Sequence, residues 1–250
     1  MEFLANNVND TIIELLFTLD IVKNCNPKSI NVLLTYMGYS RQDRVENINE
    51  SFSAKIIANL LSLPYISKIF TIDIHAQQTL GSFNVPTINI STNDFIADLV
   101  KNKYDSKKSL LVSPDTGNVK NVIKLSDKIG FDYSIAIKYR PQANENKILS
   151  LLGHGIDGKD CIIFDDIVDS AGTLCNVAER LAKQGSNNIY AYITHGVLSK
   201  KSIERINNSY IKKLYISNTI DCGEKIKYFK NVEIYSISDY CMENINKYIK

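Results

Sequence analysis

Nine consecutive residues, Asp165-Asp166-Ile167-Val168-Asp169-Ser170-Ala171-Gly172-Thr173, constrain this chain more than any other feature. Ahead of them Cys161-Ile162-Ile163-Phe164 reads as a buried strand. Behind them Leu174 to Ala182 reads as a helix with Leu174, Val177, Ala178 and Leu181 on one face. The acidic, then small and hydroxylated, segment is therefore predicted to be a loop where a parallel strand hands over to a helix. That is the carboxyl edge of an α/β sheet, where open sheets bind ligands. Backbone N–H groups at such a helix start form an anion cradle, and the Ser170 and Thr173 hydroxyls add to it. The paired carboxylates upstream can accept hydrogen bonds from vicinal hydroxyls. Together these parts describe a pocket for a ribose carrying a 5-phosphate. A lone Asp-Asp pair is more often a solvated loop start, and Asp169 or Ser170 could simply cap the helix. The agreement of spacing, flanks and small residues favours the pocket.

The rest of the chain repeats the same alternation. The spacing predicts helices near 10–24, 52–63, 93–102, 118–129 and 173–184, and a terminal helix. Strands are predicted at Ile30–Thr35, Ile69–Ile74, Val85–Ile90, Leu110–Val112, Ser134–Ile137, 148–152, 160–164, Ile189–Ile193, Leu214–Ile216 and Ile234–Ile237. Strands separated by helices, and too apolar to expose a face, imply parallel sheets covered on both sides. A boundary is placed before Ser91, giving domains 1–90 and 91–238, with the terminal helix 239–250 packing on the first.

With 29 basic and 27 acidic residues the chain has a net charge of +2, which suggests neither a nucleic-acid partner nor a membrane surface. No apolar run approaches a membrane span, and no charged-then-apolar leader follows Met1. The five cysteines, Cys25, Cys161, Cys175, Cys222 and Cys241, show no paired short spacing, which points to reduced thiols and a cytoplasmic location.

The nine-residue string resembles the signature of proteins that bind 5-phosphoribosyl 1-diphosphate. Four further segments resemble motifs of the ribose-phosphate pyrophosphokinase family. They are Tyr36-Met37-Gly38-Tyr39-Ser40-Arg41-Gln42-Asp43-Arg44, Thr71-Ile72-Asp73-Ile74-His75-Ala76 with Gly81-Ser82-Phe83, Val112 to Val119, and Lys138-Tyr139-Arg140-Pro141. All occur in that family's order and approximate spacing, from about residue 5 to about residue 240. The resemblance implies an α/β fold of two tandem phosphoribosyltransferase-type domains with mainly parallel sheets. It also implies transfer of the diphosphoryl group of ATP to ribose 5-phosphate, Mg²⁺ as cofactor, and a homo-oligomer, dimer or hexamer.

Residue by residue, the resemblance implies ATP at Arg41 and Gln42, where a planar guanidinium can clamp phosphate oxygens. For Asp43 and Arg44 a mutual ion pair is the plainer alternative to a role in the site. His75 and Asp115 match metal positions. Asp165 is assigned to the ribose hydroxyls, Asp169 with Ser170, Gly172 and Thr173 to the 5-phosphate, and Asp166 and Ala171 to the same ribose 5-phosphate site. Lys138 and Arg140 are the catalytic candidates, placed to meet charge on the migrating diphosphoryl oxygens. His154 and His195 are read as structural.

The sequence also departs from the family. No counterpart of its first block precedes Met1, so the first domain is expected to lack its usual amino-terminal strands, and the chain to be shortened at both ends. Val45 to Glu50 is acidic and neutral where the family is strongly basic. Two alternatives stand beside the synthetase: a non-catalytic homologue that binds ribose phosphates or regulates a full-length enzyme, and a phosphoribosyltransferase acting on a base. The retained Lys138 and Arg140 argue against the first, and Arg41, Gln42 and His75 against the second.

Overall fold

The computed structural model describes residues 8–139 and 148–249. The chain forms two compact units, one of Met1–Ser91, Thr219–Asp221 and Ser238–Lys250, the other of Thr92–Asn218 and Cys222–Ile237.

The first unit runs through helix α1 (Val8–Asn24), strand β1 (Asn31–Leu34), helix α2 (Ser53–Leu61), strand β2 (Lys68–Ile72) and strand β3 (Thr87–Ile90). The strands form a three-stranded parallel sheet in the order β1-β2-β3. Leu19 of α1 and Ala54, Ala58 and Leu61 of α2 bury against Val32, Leu34 and Ile69. The two alanines, fully buried, let α2 lie close on the sheet.

The second unit holds helix α3 (Asn93–Lys103), β4 (Ser109–Ser113), α4 (Val119–Ile129), β5 (Asp132–Tyr139), β6 (Ile148–Gly153), β7 (Asp160–Val168), α5 (Gly172–Lys183), β8 (Asn188–Gly196), α6 (Lys200–Asn207), β9 (Lys213–Ser217) and β10 (Val232–Tyr235). Helix α7 (Ser238–Asn246) then returns to the first unit, where the Tyr248 ring lies 6.2 Å from that of Phe70.

The second sheet has seven strands in the order β10-β9-β8-β7-β4-β5-β6, parallel throughout except for β5 with β6. Side chains alternate between two cores. Leu110, Val112, Cys161 and Ile163 join Leu174, Val177, Ala178 and Leu181 of α5. Leu111, Ile162 and Phe164 join Ile96, Ala97 and Val100 of α3 and Val122 and Leu125 of α4. Helices on both faces explain why Leu110–Val112 of β4 and Cys161–Phe164 of β7 are apolar at every position.

Two differences from the sequence expectation matter for function. Asp165 and Asp166 are not in a loop: β7 continues to Val168, with Asp165 paired to Ile193, Ile167 to His195 and Val168 to Gly196 of β8. The long, buried β8 supplies a ladder that overrides the poor strand propensity of aspartate. On the other side β4 accompanies β7 only as far as Val112 opposite Ile163. The short polar helix α6, absent from the sequence reading, carries too few apolar positions to announce itself beyond Ile203 and Ile206.

Candidate functional site

The strand order reverses between β4 and β7. From β7 the chain winds outward through β8, β9 and β10, and from β4 it winds the opposite way through β5 and β6. At such a switch point the connections leave in opposite directions, and a crevice opens beyond the carboxyl ends of the strands. Here β7 runs on beyond β4, and the overhang carries Asp165, Asp166, Ile167 and Val168.

Asp115 stands on the loop after β4. Its Oδ1 accepts the N–H groups of Gly117 at 2.9 Å and Asn118 at 3.2 Å, and the Ser113 hydroxyl donates to its carbonyl at 2.7 Å. One carboxylate oxygen thus shapes the loop that starts α4. Asn118, to which the sequence reading gave no role, donates its side-chain amide to the Phe164 carbonyl at 2.7 Å. That carbonyl lies past the β4 ladder, so Asn118 supplies the partner that the strand no longer does.

Asp165 is half-buried, and its Oδ1 accepts the Asp166 N–H at 3.1 Å. Burial, then the neighbouring Asp166 and Asp115 carboxylates, hold its carboxyl well above the usual range. The Asp166 N–H bond opposes this without reversing it. The site therefore concentrates negative charge that a cation, or donors on a bound molecule, would relieve.

The next residues turn into α5. Ala171 adopts the left-handed region with φ +59° and is buried, while Asp169, Ser170, Gly172 and Thr173 are half-buried. The Cys175 N–H donates to the Ala171 carbonyl at 3.0 Å, starting the helix. The amides of the first turn have no intrahelical acceptors, which makes this the positive end of the helix. The second unit thus brings together Asp115, Asp165, Asp166 and residues 169–173. Lys138 pairs with Leu149 in the β5–β6 ladder, and Arg140 lies outside the described residues.

The remaining candidates belong to the first unit. Arg41 and Gln42 follow a turn in which Tyr39 has φ +64°, the Ser40 N–H donates to Met37 and the Gln42 N–H to Tyr39. Met37 and Ser40 are buried, which leaves Arg41 and Gln42 projecting as exposed side chains. The Gln42 carbonyl accepts the Ala54 N–H at 3.1 Å and so anchors the turn to α2. Gly38 is required by close approach, since a Cβ there would lie 2.2 Å from Val8 Cγ1. The Asp43–Arg44 pair does not form: Asp43 accepts from Gln78 at 2.7 Å, and Arg44 pairs with Glu46 at 2.9 Å. Partners at the proper distance win over sequence adjacency, which places neighbouring side chains apart. His75 is exposed beyond β2, after Asn89 has tied down Thr71 and the Ile74 N–H at 3.0 and 2.9 Å. Among the described residues no three or more His, Cys, Asp or Glu side chains gather into a metal cage.

Two family models match the chain: the N-terminal domain of ribose phosphate pyrophosphokinase over residues 1–63, and the phosphoribosyl synthetase-associated domain over residues 131–249. The ribose-phosphate pyrophosphokinase of Brucella melitensis is 40% identical over 237 residues, covering 95% of this chain and 76% of the relative. That of Aquifex aeolicus is 35% identical over 244 residues, covering 98% and 78%. The crystal structure of phosphoribosylpyrophosphate synthetase from Mycobacterium smegmatis superposes with a TM-score of 0.86 at 26% identity, over 96% of this chain and 78% of that one. With these relatives matched along nearly its whole length, the chain belongs to the ribose-phosphate pyrophosphokinase family of enzymes.

Proposed function

We propose that this enzyme transfers the diphosphoryl group of ATP to the 1-hydroxyl of ribose 5-phosphate, giving 5-phosphoribosyl 1-diphosphate and AMP. The observation that carries the reading is the reversal of strand order between β4 and β7, with Asp165 and Asp166 at the end of β7. Acceptors for vicinal hydroxyls on Asp165 and Asp166 lead there into the amide-rich turn of residues 169–173. The first holds a sugar, the second its phosphate, and strand β7 fixes their separation.

In the reaction the ribose 1-oxygen forms a bond to the β-phosphorus of ATP. The bond from that phosphorus to the oxygen bridging the α- and β-phosphates breaks, AMP leaves, and the hydroxyl proton passes to solvent. Catalysis of this kind is mostly positioning and charge stabilisation. Asp165 and Asp166 orient the sugar, and residues 169–173 hold its phosphate. Arg41 and Gln42 bind ATP, Arg41 through its phosphates. Lys138 and Arg140 meet the charge that develops on the migrating group.

The donor set fits Mg²⁺. The groups available in the second unit are hard carboxylate oxygens in a crowded acidic setting, which suit an ion that keeps several waters and takes phosphate oxygens. In the second unit Asp115 would hold it, through the oxygen not engaged by Gly117 and Asn118; His75 is the candidate ligand that the first unit carries. When bound, the ion supplies charge neutralisation on the phosphates.

The resemblance to the family supports a homo-oligomer and a cytoplasmic location as parts of this proposal. Among the described residues no helix is long and apolar enough to cross a membrane.

The test is to incubate the purified protein with ATP, Mg²⁺ and ribose 5-phosphate and to quantify AMP. AMP should accumulate only when all three are present. Absence of AMP, or AMP formed at the same rate without the sugar phosphate, would overturn the proposal.

A further inference from the structure

The turn that leads into α5 is braced from outside its own strand and helix. The Leu198 N–H donates to the Val168 carbonyl and the Ser199 N–H to the Asp169 carbonyl, both at 3.2 Å. One residue further on, Arg205 of α6 donates from Nη1 to the Ser170 carbonyl at 2.8 Å. The segment after β8 and helix α6 thus hold three successive carbonyls, that of the last residue of β7 and the two that follow it. Two residues in this contact, Ala171 at φ +59° and Leu198 at φ +49°, occupy the left-handed region that side chains disfavour. Such conformations persist only where the surroundings over-determine them.

Arg205 is exposed and, among the described residues, makes no ion pair with a carboxylate. Its guanidinium lies over the first turn of α5, because a Cβ on Gly172 would stand 3.4 Å from Arg205 Nη1. A rotation of the Ser170–Ala171 peptide would move Ala171 out of its strained region and exchange the places of the Ser170 carbonyl and the Ala171 N–H. That exchange would present an oxygen where an anion needs a donor. The Arg205 bond opposes it by holding the carbonyl on the α6 side of the turn.

We propose that Arg205 is a positioning residue for the phosphate-holding turn. It locks the Ser170–Ala171 peptide and places an unneutralised positive charge beside the first turn of α5, so that the turn selects a sugar bearing a phosphate dianion. The proposal rests on the reading of residues 169–173 as the 5-phosphate cradle. It adds a residue 35 positions away from Ser170 in sequence, on a helix to which no motif assigned a role.

Calorimetry with ribose 5-phosphate at pH 7.5 and 5.5 tests it on wild type, Arg205→Met, Arg205→Gln and Arg205→Lys. A phosphate monoester loses its second proton near pH 6, so the pH ratio of affinities reads the preference for the dianion. Arg205→Met should bind about tenfold or more weakly at pH 7.5, the scale of a lost charge-assisted hydrogen bond. Its pH ratio should fall, while its Tm stays near that of wild type because the side chain is exposed. Arg205→Gln keeps a neutral donor and should recover part of the affinity without the pH ratio. Arg205→Lys should recover the pH ratio. Wild-type affinity and pH ratio in Arg205→Met would overturn the role of Arg205 while leaving the cradle standing. Wild type that binds no ribose 5-phosphate would overturn the cradle and the proposal with it.

Discussion

The side-chain amide of Asn118 donates to the backbone carbonyl of Phe164 at 2.7 Å, joining the start of α4 to the strand that carries Asp165. Its own Oδ1 accepts from Asn121 at 2.8 Å, so the amide is held in one orientation. The bond replaces the ladder that β4 stops providing and ties the loop after β4 to β7.

Replacing Asn118 by Ala should therefore destabilise the protein by about 1–3 kcal/mol, the range for a carbonyl left without its partner. Thermal denaturation would show a lower Tm, and the KM for ribose 5-phosphate should rise with it. An unchanged Tm would mean that water satisfies the Phe164 carbonyl equally well.

Asp165 gives a prediction of opposite sign for stability and activity. Its carboxyl is raised by burial and by Asp166 and Asp115, so between its ordinary value and the raised one the folded state holds a proton that the unfolded state has released. Stability from this group is present below the ordinary carboxylate range and is lost as pH rises through the raised value. At pH 7.5 without ligands, Asp165→Asn should raise Tm by a few degrees, since about 1 kcal/mol moves Tm by about 2–4 °C in a chain of this size. The gain should shrink towards pH 4, where wild type carries the proton, and turnover should fall sharply at every pH. A lower Tm for Asp165→Asn at neutral pH would contradict the charge crowding.

Gly38 and Val8 form a testable steric pair. Gly38→Ala should cost about 1 kcal/mol or more through overpacking, because the new methyl would meet Val8 Cγ1 at 2.2 Å. Adding Val8→Ala should restore much of the loss. A double variant no more stable than Gly38→Ala alone would place the strain elsewhere in the turn.

The loop after Arg44 is closed on itself. The Glu50 carboxylate accepts the N–H groups of Glu46 and Asn47 and the Asn47 amide, at 2.9, 3.3 and 2.7 Å, and Arg44 is neutralised by Glu46. With its acceptors turned inward and its one cation paired, the loop offers little to an anion. Added ADP or inorganic phosphate should accordingly act only weakly, and without cooperativity, through this loop in steady-state assays. A sigmoidal ADP response abolished by Glu50→Gln would show that this loop regulates after all.

The cores were the most legible part of the chain. Leu110–Val112 and the Leu174, Val177, Ala178, Leu181 face lie where periodicity places them, because a sheet buried on both sides demands an apolar residue at every strand position. The strand status of Asp165 and Asp166 was not legible, since it comes from β8 across the ladder and not from their own propensity. The site strings announced themselves as local motifs. The Asn118 and Arg205 contacts did not, because each spans tens of residues and joins a side chain to a backbone carbonyl, which leaves no mark on the partner's residue type.

The most direct measurement is ³¹P NMR of a reaction containing the protein, ATP, Mg²⁺ and ribose 5-phosphate. ATP resonances should be replaced by those of AMP and of a diphosphate joined to the sugar's C1, in equal amounts, with the 5-phosphate retained. Formation of ADP and a doubly phosphorylated sugar would show single-phosphoryl transfer, and an unchanged spectrum no transfer; either result would contradict diphosphoryl transfer to the sugar.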